Sequence, residues 1–411
     1  MDTLNKFDES TILRLSFIFT GSFLLYAGFQ DWIKGDPQTH PWVLTLILAT
    51  YLLAFALFIL ALTSGETPFK VKHIILPALI FIVVFNSYVT SEIFYKGVYR
   101  TDAIALTHYA ALRFMESRVN PYTLDLQEAL IRFPVEPQYI TFTETGDLIT
   151  TLNYPSLHFL IYVPFIALGL NDMRWVTVLF EALTFTLLYW RTPRTLRPLA
   201  LIPLFASVDL VIDFTAGCVT DYLWVLPLTA TVLFIDNLPI SAISFGLACA
   251  VKQEPWLLAP FLLTWMWMES LGDWKRKLLR TGAYGGLALA SFLLPNWRFI
   301  VEDPAAWWNG VFSPVFGGLI VQSQGVSMLT QMGYVPLGKG FYLVVTLSVY
   351  ILLAVNYTVY YDKLKYTFWI YPAVTLWFSY RGLQSYFIHL IPVVTAAAVA
   401  WYRRQAVEGG V

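Results

Sequence analysis

The chain has 411 residues, of which 57% are hydrophobic and 13% charged, with mean hydropathy +0.61 and a net charge of −1. Soluble domains carry about 25% charged residues, so this composition excludes an ordinary soluble domain and implies an all-α polytopic membrane protein. The balanced charge leaves no basic field for nucleic acid, and two cysteines, Cys218 and Cys249, set neither a disulfide framework nor a metal-ligand spacing and read as small buried residues.

In chain order, the opening MDTLNKFDES lacks a basic stretch and a small-residue cleavage site, so the first apolar segment reads as a retained helix. Apolar segments lie at about 12–30, 42–63, 74–93, 156–170, 174–190, 197–213, 219–235, 238–252, 255–268, 282–296, 341–358, 365–380 and 384–401. The segment 156–170 is short, follows Pro155 and ends in GLND, so a partial or broken helix is expected there. Aromatic residues reach 17%, and many tryptophans (Trp32, Trp42, Trp190, Trp265, Trp267, Trp307, Trp308, Trp401) stand near segment ends, as in an interfacial aromatic belt.

Short basic loops stay cytoplasmic. RTPRTLR (191–197), DWKRKLLR (273–280), YDKLKY (361–366) and WYRRQ (401–405), with the weaker KVKH (70–73), set the orientation. The expectation is one integral membrane domain of about twelve transmembrane helices. Both termini are then cytoplasmic, and two large external loops, 94–155 and 297–340, carry short interfacial helices. Within it, 1–73 forms an N-terminal helix pair, 74–296 a central module containing the first loop, and 297–411 the C-terminal helices. No internal repeat is evident, which weighs against the two-halved plan of many transporters.

The chemistry is expected in and around the first loop. Irregular backbone cannot face lipid, so a break of this length, rich in Asp, His, Arg, Asn and Tyr, sits outside the hydrocarbon. Thr101 and Asp102 precede AIALTHYAALRFM, a strong helix former that is apolar apart from His108, Arg113 and Glu116. An Asp there is a good helix N-cap, and equally a carboxylate at a membrane edge. Asp125, Glu128, Glu136, Glu144 and Asp147 read as solvated surface. Lys252, in GLACAVKQEPWLLAP beside Gln253 and Glu254, costs about 2.5–3.5 kcal/mol at mid-membrane, so a polar helix break ending at Pro255 is expected. Arg381 stands in a turn followed by Gln384 and His389 on one helical face, and a guanidinium fork suits phosphate oxygens. Asp209, Asp213 and Asp221 leave a divalent cation possible without any firm metal spacing, and no cofactor is firmly implied.

These parts, taken in order, carry a resemblance. Asp102, Tyr109, the turn Asn120–Pro121–Tyr122, the later NYPSL with Tyr154, the Lys252 stretch and SYRGLQSYFIHLIP resemble the GT-C superfamily of membrane glycosyltransferases, mannosyltransferase-like branch, over about residues 74–400. The sequence departs from the pattern at YPSL, where YPPL is common, and at Arg118, where glycine is usual. The resemblance implies transfer of mannose or a similar sugar, with inversion, from a polyprenyl-phosphate donor to a hydroxyl of a glycan, lipid or protein acceptor at the external face of the cell membrane. It maps the catalytic base onto Asp102. Lys252 and Arg381 are the expected donor-phosphate ligands, with His108, Tyr109, Asn120, Tyr122, Tyr154, Asp221, Gln253, Gln384 and His389 as further site candidates. The rivals are a transporter or flippase of a lipid-linked sugar and a non-enzymatic membrane assembly protein, the latter expected to lack a deep polar cavity.

Overall fold

The computed structural model describes residues 9–34, 41–62, 98–193, 214–217 and 219–408, with scattered positions at 78–90, 197 and 200. Asp209, Asp213, Cys218, the KVKH cluster and most of the apolar segments 74–93 and 197–213 lie outside the described residues. What is described is predominantly helical, with one two-stranded pairing and isolated bridges.

Among the described residues, three helices are long and apolar enough to cross a membrane: Pro41–Leu62, Lys339–Val359 and Gln384–Arg404. The expected twelve are not confirmed among these residues: 74–93 and 197–213 lie mostly outside them, and several other segments form shorter helices. Tyr222–Leu233 and Leu238–Val251 are apolar but have 12 and 14 residues. At 1.5 Å per residue they reach about 18–21 Å, short of a hydrocarbon core of about 30 Å. The segment 156–170 is broken into Leu157–Leu160 and Tyr162–Ala167. The segment 365–380 splits at Pro372 into a 3-10 turn, Thr367–Ile370, and the helix Tyr371–Trp377. Short helices of this kind bury their ends against neighbours, and here they surround a polar interior.

Two close approaches order the bundle. Glu9–Lys34 and Pro41–Leu62 form an antiparallel hairpin. Leu238–Val251 lies directly on Trp274–Glu302: a Cβ on Gly246 would stand 2.1 Å from the Ala288 carbonyl oxygen, so glycine is required at the crossing. That contact fixes the C-terminal end of Leu238–Val251, where Lys252 begins the polar break.

The molecule has two distinct ends. At one, Glu269 receives Lys365 Nζ at 2.7 Å and Arg404 Nη1 at 2.6 Å, and Arg404 also pairs with Asp236, beside which Arg191 lies. Residues of three basic clusters therefore gather there, and those of the fourth, Lys275–Lys277, stand in the first turn of the helix Trp274–Glu302, a few residues after Glu269. At the other end the two long loops meet. The isolated bridge Thr143–Leu319 joins them, with Glu144 N donating to Gly318 O (2.6 Å) and Ile320 N to Phe142 O (3.2 Å). The strand Gln322–Ser323 then pairs in parallel with Arg381–Gly382, Gln322 opposite Arg381. Three distant chain segments thus lie side by side over one cavity.

Candidate functional site

The cavity is about 890 Å³. Its polar wall carries Arg100, Asp102, Asn153, Tyr154, Lys252, Gln253, Glu254, Lys339, Arg381, Gln384 and Tyr386. The rest is mostly apolar, from Val311, Phe312, Val315 and Phe316 across to Leu343, Leu347 and Leu376. Six residues singled out in the sequence meet here: Asp102, Tyr154, Lys252, Gln253, Arg381 and Gln384.

Asp102 is the first residue of the helix Asp102–Ser117, which is preceded by extended Thr101. Asp102 is thus not the N-cap residue; that place falls on Thr101, whose side chain makes no cap hydrogen bond. Asp102 Oδ2 accepts from the backbone N–H of Thr141 at 2.7 Å, across the loop. The carboxylate is 7% exposed. Burial raises its pKa above the ordinary carboxylate value, an effect partly offset by Thr141 and by the positive charge of Arg381. A buried carboxylate with raised basicity beside a cavity has the properties of a general base.

Lys252 is built differently from the free cation the sequence implies. Leu238–Val251 ends because Lys252 is extended (φ −150°, ψ 161°), and a 3-10 turn, Glu254–Leu258, follows with Pro255 near its start. Nζ contacts Asp221 Oδ1 at 2.6 Å and Glu254 Oε1 at 3.0 Å, and sits 4.9 Å from the centre of the Tyr386 ring. Two carboxylates compensate one ammonium. Asp221 is fully buried; Oδ1 also accepts from Trp224 Nε1 at 2.6 Å, and Oδ2 faces His389 Nδ1 at 3.7 Å. Asp221 and His389 therefore stand behind the cavity wall as supports of Lys252. Gln253 Nε2 donates to Asn153 O (2.8 Å) and Val311 O (2.6 Å), tying the helix break to both loops.

Arg381 has neutral partners: Nη1 donates to Ile320 O at 3.3 Å and Nη2 to Gln322 Oε1 at 3.1 Å. Lys339 donates to Gly317 O. Gln384 Oε1 accepts from Gln324 Nε2 at 3.3 Å. Arg100 packs on the Tyr139 ring, 4.5 Å from its centre. The cavity wall thus holds four cations against the carboxylates of Asp102 and Glu254. Lys252 is matched by two carboxylates in direct contact, whereas Arg381 and Lys339 donate to neutral groups, with Asp102 near Arg381 and Glu144 near Lys339 at longer range.

Besides Asp221 and His389, four expected site residues do not line the cavity. Tyr109 is nearly two turns along its helix and donates its hydroxyl to Glu128. His108 is buried, with Nδ1 2.9 Å from Tyr99 OH and its ring stacked on Phe133 at 4.3 Å; burial pushes its pKa down to about 4, so it is neutral near pH 7. Asn120 Oδ1 accepts from Tyr122 N at 3.1 Å and shapes the turn Pro121–Thr123. Tyr122 donates to Tyr154 O at 2.6 Å and lies 3.1 Å from Ser156 Oγ. Ser156 N in turn donates to Asn296 Oδ1 at 2.9 Å. The NPY turn therefore clamps the NYPS segment and sets Asn153 and Tyr154 in the wall.

Sequence reasoning missed Arg100, Lys339, Glu254 and Tyr386 as lining residues. Arg100 and Tyr386 are two residues from picked positions, and Glu254, already noted in the polar break, adjoins Gln253, so all three were within reach. Lys339 gave no signal, because its entry into the wall depends on how the two loops pair. Among the described residues no group of three or more His, Cys, Asp or Glu side chains is arranged to hold a metal ion. Comparison of the chain with known protein families, with curated proteins and with solved structures finds no match.

Proposed function

We propose that this protein is a multi-pass membrane glycosyltransferase of the GT-C type, moving a sugar from a polyprenyl-phosphate donor to an acceptor hydroxyl at the external face. The observation that carries the reading is the convergence of Asp102, Arg381, Lys339 and Lys252 on one cavity that is polar on one wall and apolar on the other. A polyprenyl-phosphate sugar has matching parts: an anionic phosphate, a hydroxyl-rich ring and an apolar chain. Asp102 takes the proton of the acceptor hydroxyl as its oxygen forms the new bond at the anomeric carbon. The bond from that carbon to the phosphate oxygen breaks on the opposite side, and polyprenyl phosphate leaves with the electron pair. Arg381 and Lys339 hold the phosphate and stabilise the charge gained by the leaving oxygen.

Lys252 is assigned a different task from that expected of it. With Asp221 and Glu254 on its ammonium it has little charge left for a phosphate, and it organises the helix break that presents Gln253 and Glu254. The external location is supported by the two-ended arrangement. The basic clusters gather at the end opposite the cavity, and basic loops stay cytoplasmic. Further crossings beyond the three long helices would come from the short apolar helices. The deep polar cavity counts against an assembly protein.

The test is donor recognition by the purified protein in lipid nanodiscs, using polyprenyl-phosphate mannose and glucose as probes. The reading expects saturable binding of at least one probe, weakened about tenfold by Arg381→Ala or Lys339→Ala, since a hydrogen bond to a charged group contributes about 1.5–3 kcal/mol. Absence of binding to any polyprenyl phosphate would overturn it.

A further inference from the structure

The turn that leads into Trp274–Glu302 carries a feature the transfer chemistry does not use. Asp273 caps this 29-residue helix, its Oδ1 accepting from Arg276 N at 3.1 Å. Lys275, Arg276, Lys277 and Arg280 then follow within the first two turns. Cations are disfavoured there by the helix dipole, and none of the four forms an ion pair among the described residues. The neighbouring basic residues behave differently, because Lys365 and Arg404 are taken up by Glu269 and Asp236. Interleaved with these four cations are large exposed apolar side chains: Leu271, Trp274 (62%), Leu278 and Leu279 (74%); Lys275 Nζ lies 5.8 Å from the centre of the Trp274 ring. The first turns of the helix lie at the basic end of the molecule, a few residues after Glu269. The result is a short amphipathic collar, basic and aromatic, at the end of the molecule away from the cavity.

We propose that this collar, Leu271 to Arg280, is a binding site for anionic phospholipids of the leaflet at the basic end. Trp274, Leu278 and Leu279 enter the headgroup–acyl boundary while Lys275, Arg276, Lys277 and Arg280 meet lipid phosphates. Clusters of exposed cations beside interfacial apolar residues have this affinity for anionic surfaces. The inference rests on the chain being embedded in a membrane and is independent of the transfer reading.

The experiment compares full-length protein in nanodiscs of phosphatidylcholine alone and with phosphatidylglycerol, measuring phosphatidylglycerol retained on extraction into detergent and the shift in melting temperature between the two lipids. Wild type should retain phosphatidylglycerol preferentially, in a salt-sensitive way, and melt higher in its presence. Each cation neutralised should weaken the preference about fivefold, so K275Q/R276Q/K277Q/R280Q should abolish it, while Lys363→Gln, at an exposed cation of the same end, should keep it. If the quadruple variant does not fold, K275Q/R280Q serves, with a smaller loss expected. An unchanged preference in the neutralised variants, or equal retention of both lipids by wild type, would overturn the proposal.

Discussion

Asp102 joins two opposing influences. Burial raises its pKa, and the charge of Arg381 lowers it. A base works only when ionised, so turnover should fall as pH drops through this raised value. Arg381→Gln removes the lowering influence, and the acid limb of kcat/KM should therefore move to higher pH; an unmoved limb would separate the two residues. Lys252 gives the contrasting case. Removing its ammonium leaves Asp221 and Glu254 buried without their counter-charge, and breaking a buried pair costs about 3–5 kcal/mol. Lys252→Ala should melt far below wild type in detergent, and Lys252→Met with Asp221→Asn should recover part of the loss. Wild-type melting with weakened donor binding would instead restore Lys252 as a phosphate ligand. The sequence made Asp102, Lys252 and Arg381 visible because each interrupts an apolar context. It did not reveal that Asp221 compensates Lys252, since a partner 31 residues away leaves no mark in local spacing.

At the level of elements, breaks in helices were legible and their alignment was not. Pro155 and GLND foretold the divided segment 156–170, and KQEP foretold the turn after Lys252. The pairing of Gln322–Ser323 with Arg381–Gly382 had no such signal, because two-residue strands carry no pattern, and with it went Lys339. Tyr109 entered the expected site through the motif that carries the resemblance, and His108 beside it, whereas helical rotation and rise carry both away from the cavity. Arg118 shows a local cost of the departure from glycine. It is the non-glycine residue with positive φ among the described residues (φ 56°, ψ 17°) and ends the helix Asp102–Ser117. Arg118→Gly should raise stability by about 1 kcal/mol, the left-handed penalty exceeding the entropy of added glycine; a lower melting temperature would mean that the Arg118 packing on Phe114 matters more. Gly246 is the reverse case. Gly246→Val drives a side chain into the Ala288 carbonyl and should lower melting steeply or abolish expression, whereas Gly282→Ala, in open space on the facing helix, should not.

On the scale of the whole molecule, the account rests on a cavity end and a basic end at opposite sides of a membrane. Composition made the membrane class plain. The count of crossings was not readable from hydropathy, which cannot tell a spanning helix from a short apolar one buried among neighbours. Thr145, exposed in the first loop at the cavity end, and Lys363, exposed at the basic end, provide the topology test on a background lacking Cys218 and Cys249. Thr145→Cys should react with an impermeant thiol reagent in intact cells and Lys363→Cys after lysis alone; the opposite pattern would place the cavity in the cytoplasm. The most direct trial of the central claim is sugar transfer by Asp102→Asn, measured beside donor affinity in the same nanodiscs. The account predicts that transfer falls by about 10²–10⁴-fold, as for loss of a general base, while donor affinity changes little. Transfer near the wild-type rate in a folded variant, or a fall explained entirely by lost donor binding, would contradict it.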